Sequence, residues 1–301
     1  MKDLGGRLVG HFLVNATPPE SGEDVVPELP EVETTRRGIE NAVVNRTIVS
    51  AIIRQPRLRW PVPRGFASRV ESRTVASLRR RAKYLIFDLH QGASADGAVI
   101  LHLGMSGSLR LLPSATPPLV HDHVDLVLDS GLCLRFNDPR RFGSVLWTAQ
   151  DPLQHPLLAR LAPEPLSDEF NGEYLARAAR GRRVAIKQLL MNSQVVVGVG
   201  NIYASEALFR ARIRPRRAAG RLRKEEFDAL ASAIKVVLEE AIRAGGTTLR
   251  DYVNPEGMPG YFRQKLFVYE RFNEPCRVCR TPIKQLVQGQ RSTYFCPGCQ
   301  K

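Results

Sequence analysis

Hydrophobic and polar positions follow three regimes along this chain. Residues 27–43 read PELPEVETTRRGIENAV. They set Val32, Ile39 and Val43 at helical spacing, with Pro30 in the first turn and Glu31 and Glu33 near the positive end of the dipole, so a short amphipathic helix is predicted. From about 47 to 147 the period shortens. RTIVSAIIR, TVASLRR, KYLIFDL, AVILHL, SLRLL, HVDLVLD, LCLRF and SVLWT are brief runs rich in Val, Ile and Leu, separated by Gly, Pro, Asp or Asn, and they predict a β-sandwich or barrel. From about 151 to 246 helical spacing returns in EYLARAARGRR, AIKQLLMNSQ, NIYASEALFRARI and KEEFDALASAIKVVLEEAIRAGG. The last places Phe227, Leu230, Ile234, Val237, Leu238 and Ile242 on one stripe and stops at Gly245 and Gly246. GTTLRDYVNPEGMPGYFRQ then reads as a long loop of the kind that is usually functional or disordered. Residues 1–26 carry neither a clean apolar core with a cleavage site nor a helix, and Thr17 to Asp24 are Pro, Gly, Ser and acid, so this stretch is expected to be an unfolded extension.

Length and charge narrow the class. A chain of 301 residues suits two or three domains. Its 44 Lys and Arg against 30 Asp and Glu give a net charge of +14, which calls for a polyanionic partner, nucleic acid or an anionic membrane surface. A content of 43% hydrophobic residues excludes wholesale disorder, and no apolar run approaches the ~20 residues of a spanning helix. Four of the five cysteines fall near the end of the chain as Cys276-x₂-Cys279-x₁₆-Cys296-x₂-Cys299. Each pair lets one tight turn offer two thiolates, and the spacer is long enough for a hairpin that brings the pairs together. Tetrahedral zinc suits this set, with an iron–sulfur cluster or redox pairs as the alternatives. Four protein ligands leave no open position, so such a zinc is structural, and its binding energy folds a module too small to fold alone. The fifth, Cys133, sits in an apolar run and reads as a small buried hydrophobe in a reducing cytoplasm.

Other segments carry chemistry less sharply. In VVVGVGNIYASE, Gly198 and Gly200 could open a turn that presents backbone N–H groups and Asn201 to a phosphate at a helix start, or simply form a turn with an Asn cap. FNDPRRFG places Arg140, Arg141 and Phe142 at a turn tip, cations and an aromatic together, as in a wedge that enters a base stack. Met105, between glycines in HLGMSGSL, is either core or a second wedge. Lys83, at the end of a basic run entering an apolar strand, is either a solvated charge or a catalytic amine.

PELPEVETTRRGIE, RRRAKYLIF, HLGMSGSLR, HDHVDL, DPRRFG, PEPLS, VVGVGNIYASEALF, GGTTL, PGYF, EPCRVCRTPI and QRSTYFCPGCQ, in this order from Pro27 to the end of the chain, resemble the bacterial formamidopyrimidine-DNA glycosylases. The resemblance implies a multidomain α+β protein: residues 27–150 an N-terminal helix with a catalytic β-sandwich, 151–260 a helix–two-turns–helix DNA-binding domain, and 261–301 a zinc ribbon hairpin. It implies a cytoplasmic, monomeric enzyme that acts on damaged double-stranded DNA with one structural zinc and no membrane contact. The activity implied is removal of oxidised purines by an N-terminal proline Schiff base, followed by β,δ-elimination. Pro27 is then the nucleophile, Glu28 the general acid and base, Lys83 the lysine of β-elimination and Arg291 the arginine of δ-elimination. By its pKa that arginine suits phosphate clamping better than proton donation. Met105, Arg140 and Phe142 fill the void left by the extruded nucleotide. His121, Arg140, Arg183, Lys187 and Asn201 contact DNA, and the loop from Thr248 to Tyr261 covers the extruded base.

One departure bears on the chemistry. Within a chain, the Pro27 nitrogen is a tertiary amide without an available lone pair. The expectation is that synthesis starts at Val26, read from a GTG codon as methionine, and that residues 1–26 are absent from the native protein. If they are retained, the chain is a damage-binding protein without catalysis; the other rival substrate class is oxidised pyrimidines.

Overall fold

The computed structural model describes residues 27–246 and 265–301. The expected extension over 1–26 and the expected lid over Thr248–Tyr261 lie outside the described residues. The predicted first helix is α1 (Leu29–Val43), with Pro30 in its first turn and Val32, Ile39 and Val43 buried. All eight strand runs form strands: β1 (Ile48–Ile53), β2 (Thr74–Arg81), β3 (Tyr84–Gln91), β4 (Ser94–His102), β5 (Ser108–Pro113), β6 (Asp122–Leu128), β7 (Leu132–Asn137) and β8 (Ser144–Thr148). A one-turn helix α2 (Phe66–Val70), too short to show a period, sits between β1 and β2. The strands make two antiparallel sheets, ordered β1-β6-β7-β5 and β2-β3-β4-β8. Their inner faces share one core with α1, built from Val75, Leu85, Phe87, Val99 and Leu101 on one side and Leu109, Val124, Leu126, Leu134 and Phe136 on the other. This is a β-sandwich, and it has one half-covered outer face, where Ile86, Ala98, Ile100 and Leu146 pack under Leu158. Cys133 is fully buried, as its apolar run predicts, and burial pushes its thiol up to about 11.

Register decides what the sandwich displays. Tyr84 pairs with His102, His102 with Ser144, Ser108 with Asn137 and Asp122 with Asn137. The turn residues next to these positions, Lys83, Met105, His121 and Asp138 to Gly143, therefore gather at one edge of the sandwich.

The second lobe holds α3 (Gly172–Ala179), α4 (Ile186–Leu190), α5 (Asn201–Arg210) and α6 (Lys224–Arg243). The predicted α6 stripe is buried from Phe227 to Ile242. Each such side chain contributes about 1.5–3 kcal/mol relative to exposure. The C-terminal hairpin, β9 (Lys284–Gln288) and β10 (Arg291–Phe295), pairs antiparallel. It does not stand apart from the helices. Cys276, Ile283, Tyr294 and Cys296 belong to the same core as Leu189, Ile202, Phe209 and Ile234. Glu206, buried on α5, strengthens this union by accepting the backbone N–H groups of Phe267, Val268 and Tyr269 at 2.8, 2.9 and 2.9 Å.

Candidate active site and DNA-facing edge

The two lobes meet where α1 begins. Pro27 is buried there, directly before Glu28. Glu28 is 2% exposed, and its carboxylate reaches across to the start of α5. It accepts the backbone N–H groups of Gly200 at 2.7 Å, Ile202 at 2.9 Å and Tyr203 at 3.4 Å. The anion at the turn of Gly198 and Gly200 is thus a carboxylate of the chain itself. The helix N-terminus holds a carboxylate through its orphan donors and its dipole. Gly200, not Asn201, is the N-cap. Both glycines are required by close approach: a Cβ on Gly200 would overlap the Glu28 carboxyl, and one on Gly198 would lie 2.6 Å from Leu29 Cβ.

Glu31 completes the joint. It accepts the Glu28 backbone N–H at 3.0 Å and the Tyr203 hydroxyl at 2.6 Å. Burial raises the pKa of Glu28, and the Glu31 charge adds to this; Lys83 and the α5 amides oppose it. Burial lowers the pKa of Lys83, with Glu28 and Glu31 opposing and Arg291 adding to the fall. The Lys83 ammonium is therefore within electrostatic reach of Glu28, Glu31 and Arg291, the last offered by the zinc hairpin. Lys83 is held by its neighbours: Ala82 takes a left-handed φ of 55°, and its N–H donates to Glu164 at 2.6 Å. Glu164 also pairs with Arg80 at 2.7 Å and Arg81 at 2.9 Å, which pins the β2–β3 turn to the second lobe.

At the sandwich edge His121, Arg140 and Arg141 are exposed, Met105 is half-buried and Phe142 is 40% exposed. The Arg140 guanidinium lies 5.0 Å from the Phe142 ring centroid. On the helical lobe Arg183 is exposed. Lys187 and Asn201 are not surface groups: they are 1% and 9% exposed. The Lys187 ammonium donates to Asn201 Oδ1 at 2.6 Å, Thr293 Oγ1 at 2.8 Å and the Ser292 carbonyl at 3.3 Å. Asn201 in turn donates to the Ser292 carbonyl at 3.1 Å. The lysine expected on the DNA surface thus props Asn201 and ties α4 to the hairpin, because three acceptors offset its desolvation.

The four cysteines of the C-terminal module converge. Their sulfurs lie within 4.8 Å of one another, with Cys279–Cys296 at 3.4 Å and Cys276–Cys299 at 3.9 Å. Zn–S bonds of about 2.3 Å in a tetrahedron need sulfurs about 3.8 Å apart, so the set fits one structural zinc.

Sequence reasoning missed Glu31, Ser106, Asp138, Glu164 and Glu206. For Glu206 a signal was present, a lone acid amid the apolar positions of NIYASEALF; Ser106, Asp138 and Glu164 meet partners on other elements, and Glu31 shows locally only its helix-start bond to Glu28, not its bond from Tyr203.

Comparison with known proteins agrees with this geometry. Residues 26–145 match the formamidopyrimidine-DNA glycosylase N-terminal domain, 161–253 the H2TH domain of the same enzymes, and 273–301 a zinc finger found in FPG and IleRS. The chain is 58% identical over 276 residues to a formamidopyrimidine-DNA glycosylase of Thioalkalivibrio sulfidiphilus, covering 92% of this chain and all of that one. A relative of the same name from Pectobacterium carotovorum is 55% identical over 276 residues, with the same coverage. Among solved structures, the MutM (Fpg) protein of Thermus thermophilus superposes with a TM-score of 0.81 at 39% identity, over 91% of this chain and 98% of that one. Lactococcus lactis Fpg in complex with DNA containing an abasic site gives 0.83 at 32% identity, over 91% and 99%. The matched domains and the named relatives place the chain among DNA-binding repair glycosylases that carry a zinc finger. The chain belongs to the formamidopyrimidine-DNA glycosylase family.

Proposed function

We propose that the protein is a bifunctional DNA glycosylase and AP lyase that removes oxidised purines, among them 8-oxoguanine and formamidopyrimidines, from double-stranded DNA. The observation that carries this reading is the Glu28 carboxylate, buried beside Pro27 on the α5 N-terminus and facing Lys83. A secondary amine at Pro27, with a pKa near the ~8 of an α-amino group, has a useful neutral fraction at pH 7. Its lone pair attacks C1′ of the deoxyribose as the base leaves, and loss of a proton from nitrogen and opening of the sugar give an iminium. The iminium accepts the electrons of the C2′–H bond when that proton is removed, and the C3′–O bond breaks as the 3′ phosphate departs; removal of the C4′ proton into the conjugated iminium then breaks the C5′–O bond and releases the 5′ phosphate. Glu28 moves protons at the sugar, and Lys83 takes part in β-elimination. Burial raises the carboxyl and lowers the ammonium, which reduces the cost of proton movement between such groups. Arg291 serves δ-elimination, chiefly by clamping phosphate.

His121, Arg140, Arg183 and Asn201 hold the DNA, with Lys187 acting through Asn201. Met105, Arg140 and Phe142 fill the gap left by the extruded nucleotide, with Arg140 towards the orphaned cytosine. The enzyme works as a monomer in the bacterial cytoplasm. The chemistry requires that Pro27 end the working polypeptide. The family match, which begins at residue 26, supports initiation at Val26.

Borohydride trapping tests the reading. Protein beginning at Pro27 is expected to crosslink to an 8-oxoguanine duplex in preference to a thymine glycol duplex, while protein retaining residues 1–26 does not crosslink. Equal trapping of a chain whose Pro27 is still acylated overturns the nucleophile, and preference for thymine glycol overturns the substrate.

A further inference from the structure

We infer that Ser106 and Asp138 are positioning residues that lock the Met105 turn and the Arg140–Phe142 turn into one rigid wedge, so that both enter the base stack together. This rests on the glycosylase reading above, in which Met105, Arg140 and Phe142 fill the vacated space.

Each of the two turns crosses from one sheet to the other, in opposite directions, between β4 and β5 and between β7 and β8. Met105 follows β4, whereas Arg140 and Phe142 follow β7. The ladders join the bases of the turns, at His102–Ser144 and Ser108–Asn137, but end short of the tips. The coupling is made by side chains and close backbone contact. Asp138 is fully buried. One of its carboxylate oxygens accepts the Ser106 hydroxyl at 3.0 Å, and the other accepts the Gly143 N–H at 2.8 Å. The Ser106 oxygen in turn accepts the Arg140 N–H at 3.3 Å. The two side chains therefore bridge both ends of the second turn to the residue after Met105.

Backbone packing closes the same joint. Gly104 has a φ of +74°, and a Cβ there would lie 2.5 Å from the Phe142 carbonyl carbon. The Gly104 N–H donates to His102 Nδ1 at 2.9 Å, and burial lowers the pKa of that imidazole to about 4, which keeps this nitrogen an acceptor at neutral pH. Arg141 takes a left-handed φ of 55°, held by its N–H on the Asp138 carbonyl at 3.1 Å. A side chain adopts this conformation only where its surroundings impose it. Asp138 also extends the unit to His121, the proposed DNA contact: its N–H donates to the His121 carbonyl at 3.0 Å, and its carbonyl accepts from His123 Nε2 at 2.8 Å. A shift of either tip must break bonds in the other turn, so the unit has one set of coordinates rather than two.

Ser106→Ala and Asp138→Asn, compared with the parent enzyme beginning at Pro27, test this. Single-turnover release of 8-oxoguanine opposite cytosine is expected to slow about tenfold in Ser106→Ala, the scale of a lost buried hydrogen bond with its acceptor left unsatisfied. Preference for cytosine over adenine in the opposite strand should shrink. Cleavage of a duplex already abasic at that position has no base to extrude and should stay within about twofold. In the parent background, losses from Met105→Ala and Phe142→Ala are expected to be non-additive; in the Ser106→Ala background they should multiply independently. Equal slowing on both duplexes, no slowing, or unchanged coupling overturns the inference. Should Asp138→Asn fold poorly, Ser106→Ala carries the test alone. A parent enzyme that releases no 8-oxoguanine strikes the substrate reading instead, and the same comparison with a lesion it does release still decides the wedge.

Discussion

Replacing Lys187 with methionine separates a buried brace from a phosphate ligand. The ammonium is 1% exposed and donates to Asn201, Thr293 and the Ser292 carbonyl at 2.6, 2.8 and 3.3 Å. Hydrogen bonds from a charged donor contribute about 1.5–3 kcal/mol each, and breaking a buried polar cluster by removing one partner costs about 3–5 kcal/mol. Methionine fills most of the volume and recovers part of this, leaving a net loss of about 2–4 kcal/mol. At about 2–4 °C per kcal/mol for a lobe of this size, the melting temperature should fall by roughly 4–16 °C. Affinity for DNA should fall as well, because Asn201 and the hairpin lose their support. The discriminating measurement is the slope of log K against log salt. A lysine on a phosphate contributes about −0.9 to that slope, whereas a brace contributes nothing to it. The expected result is a lower melting temperature with an unchanged slope. A slope shallower by about 0.9 at an unchanged melting temperature would refute the reasoning.

Gly200→Ala should displace the Glu28 carboxyl it would overlap and reduce lesion excision by about a hundredfold or more while DNA is still bound, as read by single-turnover kinetics beside a gel-shift titration. Glu226 is held at a pKa of about 2, first by its hydrogen bonds from Arg217. A depressed carboxylate stabilises the fold above its unfolded pKa of about 4.5, and that stability is lost as pH falls towards 2. Glu226→Gln should therefore cost about 1 kcal/mol at pH 7, with the difference from the parent closing below about pH 4 in denaturant titrations. Removing zinc with a chelator, or replacing Cys279 with serine, should loosen the helical core as well as the hairpin, since Cys276 and Cys296 are part of it; loss of zinc by atomic absorption should run with loss of cooperative unfolding.

The strands and helices were legible because burial imposes a period on the residues. Val99 and Leu101 face the core while their neighbours turn away, and the α6 stripe repeats every three to four positions. The pairing of non-adjacent strands leaves no such trace. That β5 lies beside β7 and β1 beside β6, which brings Met105 to the Arg140 turn, follows from long-range packing. The family resemblance marked Glu28 and Lys187 but not what these residues touch. Glu28 meets Gly200 across 172 positions, and Lys187 meets Ser292 across 105. In the sequence Lys187 follows the basic run at Arg180, Arg182 and Arg183, and the resemblance implies a DNA contact for it. Only the fold shows that this turn of α4 faces inward.

The Glu28 carboxylate is at once the proposed proton carrier and the rivet between the two halves of the molecule. Prising the jaws apart would tear it from the amides of Gly200, Ile202 and Tyr203 and so disarm the chemistry. On the proposed reading the chemistry survives only while this joint stays closed, so any distortion that binding demands should fall on the duplex rather than on the hinge.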